Sequence, residues 1–325
     1  MKSKPLVKRP EIRLAMLGMV DGNGHPYSWS AIINGYARKK MTKECPFPSI
    51  PEYLNREPAS AFNIKAAKFT HIYCHKRKDA EHIAQCSLIP KVVETPEAML
   101  GQVDAVVIAT DAGAEHVTMA RPLVEADMPL FIDKPLCDSR KDLQVFSRWV
   151  KGGRAILSSS NRRYAREILE AKNKLSALGP LRFLSMTMVK KWETYGIHAL
   201  ESVYTLLGPG FLSLRNTGSS ERNIVHLQHR KGVDVVIACG ADLHLGAIRI
   251  LGVKGELLVA CRDVFGNFKA QLQSFICYLQ TGRRPDPVRE TEELITMLIA
   301  GSASRANGGR EIRFPLPGTC SRSSS

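Results

Sequence analysis

"DAVVIATDAGAEHVTMARPLVEADMPLFIDKP", Asp104–Pro135, reads as a strand, a helix and a second strand. "AVVIAT" is a continuous apolar run, as a strand covered on both faces of a parallel sheet requires. "AEHVTMARPLVEAD" carries helical spacing, and "PLFIDKP" returns as a strand ended by proline. A β-strand, a crossover helix and a parallel β-strand form a right-handed unit. The same alternation extends in both directions. Upstream lie strand "IRLAMLG", helix "YSWSAIINGYARKK", strand "FTHIYCH" and helix "RKDAEHIAQCS"; downstream lie helix "SRKDLQVFSRWVKGG" and strand "RAILSSS". Alternating β and α elements predict a Rossmann-type, doubly wound parallel sheet over residues 10–158.

The rest of the chain has a different texture. After the helix "YAREILEAKNKLSA" come the strand candidates "LRFLSMTMV", "IVHLQHR", "VDVVIACG", "AIRILGV" and "GELLVAC", several separated by short turns. That pattern predicts a large, mostly antiparallel sheet in an α+β domain over residues 159–318. Helices "FKAQLQSFICYLQTG" and "TEELITMLIAGSASRAN" close it, and residues 319–325 read as a disordered tail. The proline-rich segment Met41–Asn63 breaks the rhythm of the first half. Helix-to-strand connections there are usually about 2–6 residues long, so the segment is either a functional flap or a surface embellishment.

Composition narrows the function classes. The 325 residues suffice for two domains. No run approaches the roughly 18 apolar residues of a membrane span. The basic start precedes too short an apolar run for a signal peptide. Eight cysteines without close pairing point to reduced thiols in the cytoplasm and away from structural zinc. A net charge of +15 admits nucleic-acid binding. The charge is spread along the chain and not interleaved with aromatics, which favours a basic surface that attracts anionic ligands.

The chemistry concentrates where strands end. "GMVDGNGHPY", Gly18–Tyr27, follows the first strand where a phosphate-binding turn belongs, yet it does not spell G-x-G-x-x-G. Gly22, Asn23 and Gly24 supply a displaced G-x-G, and Pro26 suits a first helical turn. Taken alone, the stretch leaves a dinucleotide cradle and a plain connection both open. Its place at the C-terminal end of a parallel strand favours the cradle, with Gly18, Gly22, Asn23, Gly24 and His25 as binding residues. "IATDAGAEH", with Thr110 and His116, and "FIDKP", with Asp133 and Lys134, end later strands of the same sheet. Pro135 holds Lys134 extended, and a lysine there can donate to a substrate oxygen. At the second strand end, "YCHKRKD" offers no acid for ribose hydroxyls. His75, Lys76 and Arg77 crowd the turn, which leans the cofactor from NAD toward NADP.

These landmarks, in this order, resemble the Gfo/Idh/MocA oxidoreductases, named for glucose–fructose oxidoreductase and inositol dehydrogenase. "FIDKP" resembles that family's E-K-P, with Asp133 for glutamate. "SSSNRRY", "YGIHALESVYTLLGPG", "GVKGELLV" and "FICYLQTGRRPDP" resemble later segments, the second of them a D-x-x-x-H helix. The resemblance implies hydride transfer between NAD(P) and a carbinol or carbonyl carbon of a sugar, cyclitol or related polyol. It implies Lys134 and His198 as the catalytic pair, meeting between the domains, with Arg163, Thr194 and Tyr195 at the substrate. It also implies a homo-oligomer, dimer or tetramer, built on the second sheet, and no nucleic-acid or membrane partner. Two positions depart from the pattern: Thr194 replaces the motif aspartate, and Asp111 stands where the family commonly has proline. Those departures keep a non-catalytic dinucleotide sensor as the alternative.

Overall fold

The computed structural model describes residues 4–315, which form two compact units. The tail 319–325 lies outside the described residues. Among the described residues, the first unit comprises 4–164 and 263–291; the second, 165–262 and 292–315.

In the first unit the chain runs β1 (Ile12–Leu17), α1 (His25–Asn34), α2 (Arg38–Glu44), α3 (Ser49–Arg56), β2 (Ala67–Tyr73), α4 (Arg77–Ser87), β3 (Lys91–Val92), β4 (Ala105–Ile108), α5 (His116–Glu125), β5 (Leu130–Ile132), α6 (Arg140–Lys151) and β6 (Ile156–Leu157). The six strands are parallel, in the order β3-β2-β1-β4-β5-β6. This is the doubly wound Rossmann order, whose ligand crevice lies where the order reverses, at the C-terminal ends of β1 and β4. Every residue of β4 and β5 is buried.

One helix expected over Tyr27–Lys40 is two. Gly35 adopts φ +82, a left-handed conformation that ends α1, and α2 starts three residues later. The proline-rich segment is folded. It supplies the end of α2, all of α3 and a short 3-10 turn at Ala59–Ala61. Ile50, Leu54 and Phe62 from it join the core around Trp29, Phe69 and Phe131. Burying each such side chain stabilises the unit by about 1.5–3 kcal/mol.

The second unit begins with α7 (Arg166–Lys174) and continues through β7 (Leu181–Val189), α8 (Trp192–Leu207), β8 (Phe211–Asn216), β9 (Arg222–His229), β10 (Val233–Gly240), β11 (Ile248–Gly252) and β12 (Gly255–Val259). The chain then re-enters the first unit as α9 (Val264–Thr281), capped by the Asp263 carboxylate, which accepts from the Gly266 N–H at 2.7 Å. Phe265, Leu272, Phe275 and Leu279 of α9 complete the first core. All but the first turn of α10 (Val288–Ala306), together with β13 (Ile312–Arg313), belongs to the second unit. Its seven-stranded sheet has the order β12-β11-β7-β10-β9-β8-β13 and is antiparallel except between β7 and β10. Alternate residues of β7, β9 and β10 are buried, so one face is covered and the other is more open. Among the described residues, no helix is long and apolar enough to cross a membrane.

Candidate functional site

Gly18 turns the chain off β1. Its N–H donates to the Tyr73 carbonyl at 2.8 Å, and its φ is +86. A Cβ there would lie 2.6 Å from Thr110 Cγ2, so only glycine lets the turn cross the end of β4 this closely. Gly22 also has a left-handed φ, +83, but nothing lies within 4 Å of where its Cβ would be. Gly24 has ordinary φ, and its missing side chain leaves room for the insertion: an added Cβ would meet Ile50 at 2.5 Å and Phe47 at 2.8 Å. The three glycines therefore have different surroundings. Gly18 makes the tight turn, Gly22 leaves open space, and Gly24 permits close packing.

Between them, Asn23 is turned inward and buried. Its amide donates to Asp133 Oδ2 at 2.9 Å, and its carbonyl oxygen accepts the His25 N–H at 3.0 Å. His25 Nδ1 lies 2.5 Å from the same carboxylate oxygen. The His25 ring also stacks on Trp29, with centroids 4.5 Å apart. The other oxygen of Asp133 accepts the Lys134 N–H at 2.7 Å. The loop after β1 and the end of β5 are thus tied to one buried carboxylate. Burial alone would raise the Asp133 carboxyl. The charges of His25 and Lys134 and the donors of His25 and Asn23 outweigh that and hold it below the usual range. Lys134 Nζ lies 3.5 Å from Asp111 Oδ2.

His116 is wholly buried beside this rim. One ring nitrogen lies 3.0 Å from the Leu136 carbonyl, the other 3.0 Å from Thr110 Oγ1. It fixes the loop after β4 against the loop after β5.

A cavity of about 610 Å³ opens at the ends of β1, β2 and β4, a size usual for small-molecule sites. Gly18, Val20, His75, Thr110, Met119 and Pro122 contribute to its walls, and so do the carboxylate residues Glu97 and Glu115. Of the residues expected at the cofactor, Gly18, His75 and Thr110 line this cavity. Asn23, His25, Asp133 and Lys134 form the adjacent polar network. Lys76 and Arg77 are exposed at the start of α4, and Arg77 is engaged by Glu81 at 2.7 Å and by Glu94.

Arg163 belongs to the first unit. Its guanidinium pairs with Asp286 at 2.9 Å and Glu290 at 3.2 Å. In the second unit, Thr194, Tyr195 and His198 lie on α8. Thr194 and His198, four apart, share a helix face. The Tyr195 and His198 rings meet edge to face at 5.0 Å, and Lys190 Nζ sits 4.5 Å above the Tyr195 ring. Glu193 does not stand in for the missing motif aspartate. It pairs with Arg305 at 2.7 Å and accepts from Ser302, which together hold its carboxyl low against the upward pull of burial. Trp192 anchors this helix: its indole packs against Gly196 and Gly301 and donates to the Leu298 carbonyl at 2.9 Å.

Sequence reasoning did not find Glu97, Glu115, Phe47 or Ile50. Each reaches the site by tertiary packing, with no motif of its own.

Residues 52–159 match the family model described as the Gfo/Idh/MocA oxidoreductase family, NAD-binding Rossmann fold. No curated protein sequence matches the chain. Among solved structures, the myo-inositol dehydrogenase of Lactobacillus casei, in complex with NAD(H) and myo-inositol, is similar with a TM-score of 0.74 and 14% identity, covering 95% of this chain and 98% of that one. The myo-inositol 2-dehydrogenase of Lactobacillus plantarum gives 0.73 and 13%, over 94% and 100%. GenD2 of gentamicin A biosynthesis, in complex with NAD, gives 0.72 and 15%, over 97% and 99%. At such identities the likeness is one of fold.

Proposed function

We propose that this chain is an NAD(P)-dependent oxidoreductase of the Gfo/Idh/MocA kind, acting on a CH–OH group of a cyclitol, sugar or related polyol; the match of residues 52–159 and the shared fold support this reading. The observation that carries this reading is the rim of the parallel sheet. A glycine turn, a cavity of about 610 Å³ and the lysine of "DKP" all stand at the C-terminal ends of its strands, where such sheets bind ligands.

The residues fit a dinucleotide. Gly18 and the walls of the 610 Å³ cavity suit the adenosine half. The open left-handed Gly22 lets an oxyanion approach the backbone. When bound, the nicotinamide supplies or accepts the hydride. We favour NAD(H), because Glu97 and Glu115 border the cavity that holds His75, and carboxylates accept ribose hydroxyls but repel a 2′-phosphate. The basic turn, through His75 and Lys76, keeps NADP as the second reading.

Lys134 and His198 are the proposed acid–base groups. Removing the hydroxyl proton makes a carbinol carbon a better hydride donor. Lys134 would hold the substrate oxygen by donation, and the His198 imidazole would take or return the proton. Thr194 supplies a hydroxyl for substrate hydrogen bonding but no charge. Association through the more open face of the seven-stranded sheet, where Ile224 and Leu258 are 37% and 62% exposed, would give a closed symmetric oligomer. The test is fluorescence titration with NADH and NADPH, followed by a polyol panel including myo-inositol, read at the nicotinamide absorbance. Absence of dinucleotide binding overturns the proposal.

A further inference from the structure

Asp111 is unusual for its position, and its surroundings give it a task. It follows Thr110 in the loop between β4 and α5, and its Oδ2 lies 3.5 Å from Lys134 Nζ. The lysine side chain is 3% exposed and the aspartate side chain 16%. The carboxylate is therefore the more accessible partner of the pair. Asp133, with His25 and Asn23 bonded to it, lies on the backbone side of the same lysine.

We propose that Asp111 is the specificity-determining residue of this site: it masks the Lys134 charge, admits neutral polyols and excludes sugar acids and sugar phosphates. A buried ammonium alone attracts any anion, and more strongly than in water. The more accessible Asp111 carboxylate, added to the buried charge of Asp133, offsets that attraction. The same pair suits a neutral diol. The carboxylate accepts from one hydroxyl, and the ammonium donates to the oxygen of another.

The assignment of neutral polyols as substrates rests on the function proposed above; the masking of Lys134 does not. The experiment separates them. Asp111→Asn removes the charge and keeps the shape, Asp111→Glu keeps the charge, and Asp111→Asn with Lys134→Met removes both charges.

In the first arm, inorganic sulfate is titrated into the protein alone, with sodium chloride of equal ionic strength as the control. Binding is followed by calorimetry and by the shift in melting temperature. The Asn variant is expected to bind sulfate about tenfold or more tighter than wild type. The Glu variant should match wild type, and the double variant should lose the gain. No gain in the Asn variant, or a gain that survives loss of Lys134, overturns the masking.

The second arm titrates myo-inositol and glucuronate into the NADH-loaded protein. Wild type should prefer myo-inositol, and the Asn variant should shift the ratio about tenfold toward glucuronate. Wild type that binds glucuronate as well as myo-inositol overturns the specificity assignment. Failure to bind NADH overturns the proposed function, and the sulfate arm still decides whether Asp111 masks Lys134.

Discussion

Alanine at Gly22 and alanine at Gly24 should fail in opposite ways. At Gly22 the backbone has φ +83 and the space is open. A methyl group there costs only the left-handed strain, about 1–2 kcal/mol of stability. It also projects into the space proposed for the diphosphate. Losing one charge-assisted backbone bond costs about 1.5–3 kcal/mol, which is roughly 10–100-fold in affinity. At Gly24 the φ is −89 and no such strain arises. The methyl group instead meets Ile50 at 2.5 Å and the Phe47 ring at 2.8 Å. Overpacking of that kind costs about 1–3 kcal/mol, and it falls on the insertion, away from the ligand. Urea melts and NADH fluorescence titrations on both variants give the two axes. The expected result is weak binding with modest destabilisation for Gly22→Ala, and intact binding per folded molecule for Gly24→Ala. Wild-type NADH affinity in Gly22→Ala refutes the division of tasks among the glycines.

Lys134→Ala and His198→Ala should each lower turnover by about 10²–10⁴-fold while leaving NADH affinity in place; a loss of cofactor binding alone would remove them from the chemistry. Lys76→Ala should weaken NADPH more than NADH, whereas Arg77→Ala, already held by Glu81 and Glu94, should change neither by more than about twofold; a large NADPH loss in Arg77→Ala contradicts this. His71 and His229 are held below the usual histidine range, chiefly by burial. Their folded values are depressed, so the stability they contribute is present above about pH 6.5 and is lost as pH falls below it. The urea midpoint should drop between pH 7 and pH 5, less steeply in His229→Asn; an equal slope in that variant removes His229 from the effect. Light scattering at micromolar concentration should show a multiple of 36.0 kDa, and a monomer would end the oligomer proposal.

The parallel sheet was legible because buried parallel strands must be apolar throughout, and "AVVI" and "LFI" are buried at every residue. Lys134 was legible because "DKP" closes a strand. The tasks of the glycines were not. "GMVDGNG" shows three glycines but not which has positive φ, nor that Phe47 and Ile50 fill the space beside Gly24. Arg77 shows the limit in one residue. Its partner Glu81 is a helical neighbour four residues on and could be read from spacing. Glu94 arrives from beyond β3 and could not. Asp111 was visible as a departure from a family pattern, yet its pairing with Lys134 depends on how two strand ends meet.

The return of α9 to the first unit sets an order of events during synthesis. A nascent chain that has emerged as far as Tyr164 holds all six strands of the parallel sheet. It lacks Phe265, Leu272, Phe275, Ile276 and Leu279, which close the core around Trp29 and Phe131. At ordinary translation rates the intervening residues take roughly ten seconds to follow. For that interval an apolar face stands open to solvent and to chaperones. The second sheet waits longer still, because β13 pairs with β8 and arrives last. Neither unit can be finished before the other has been almost wholly made.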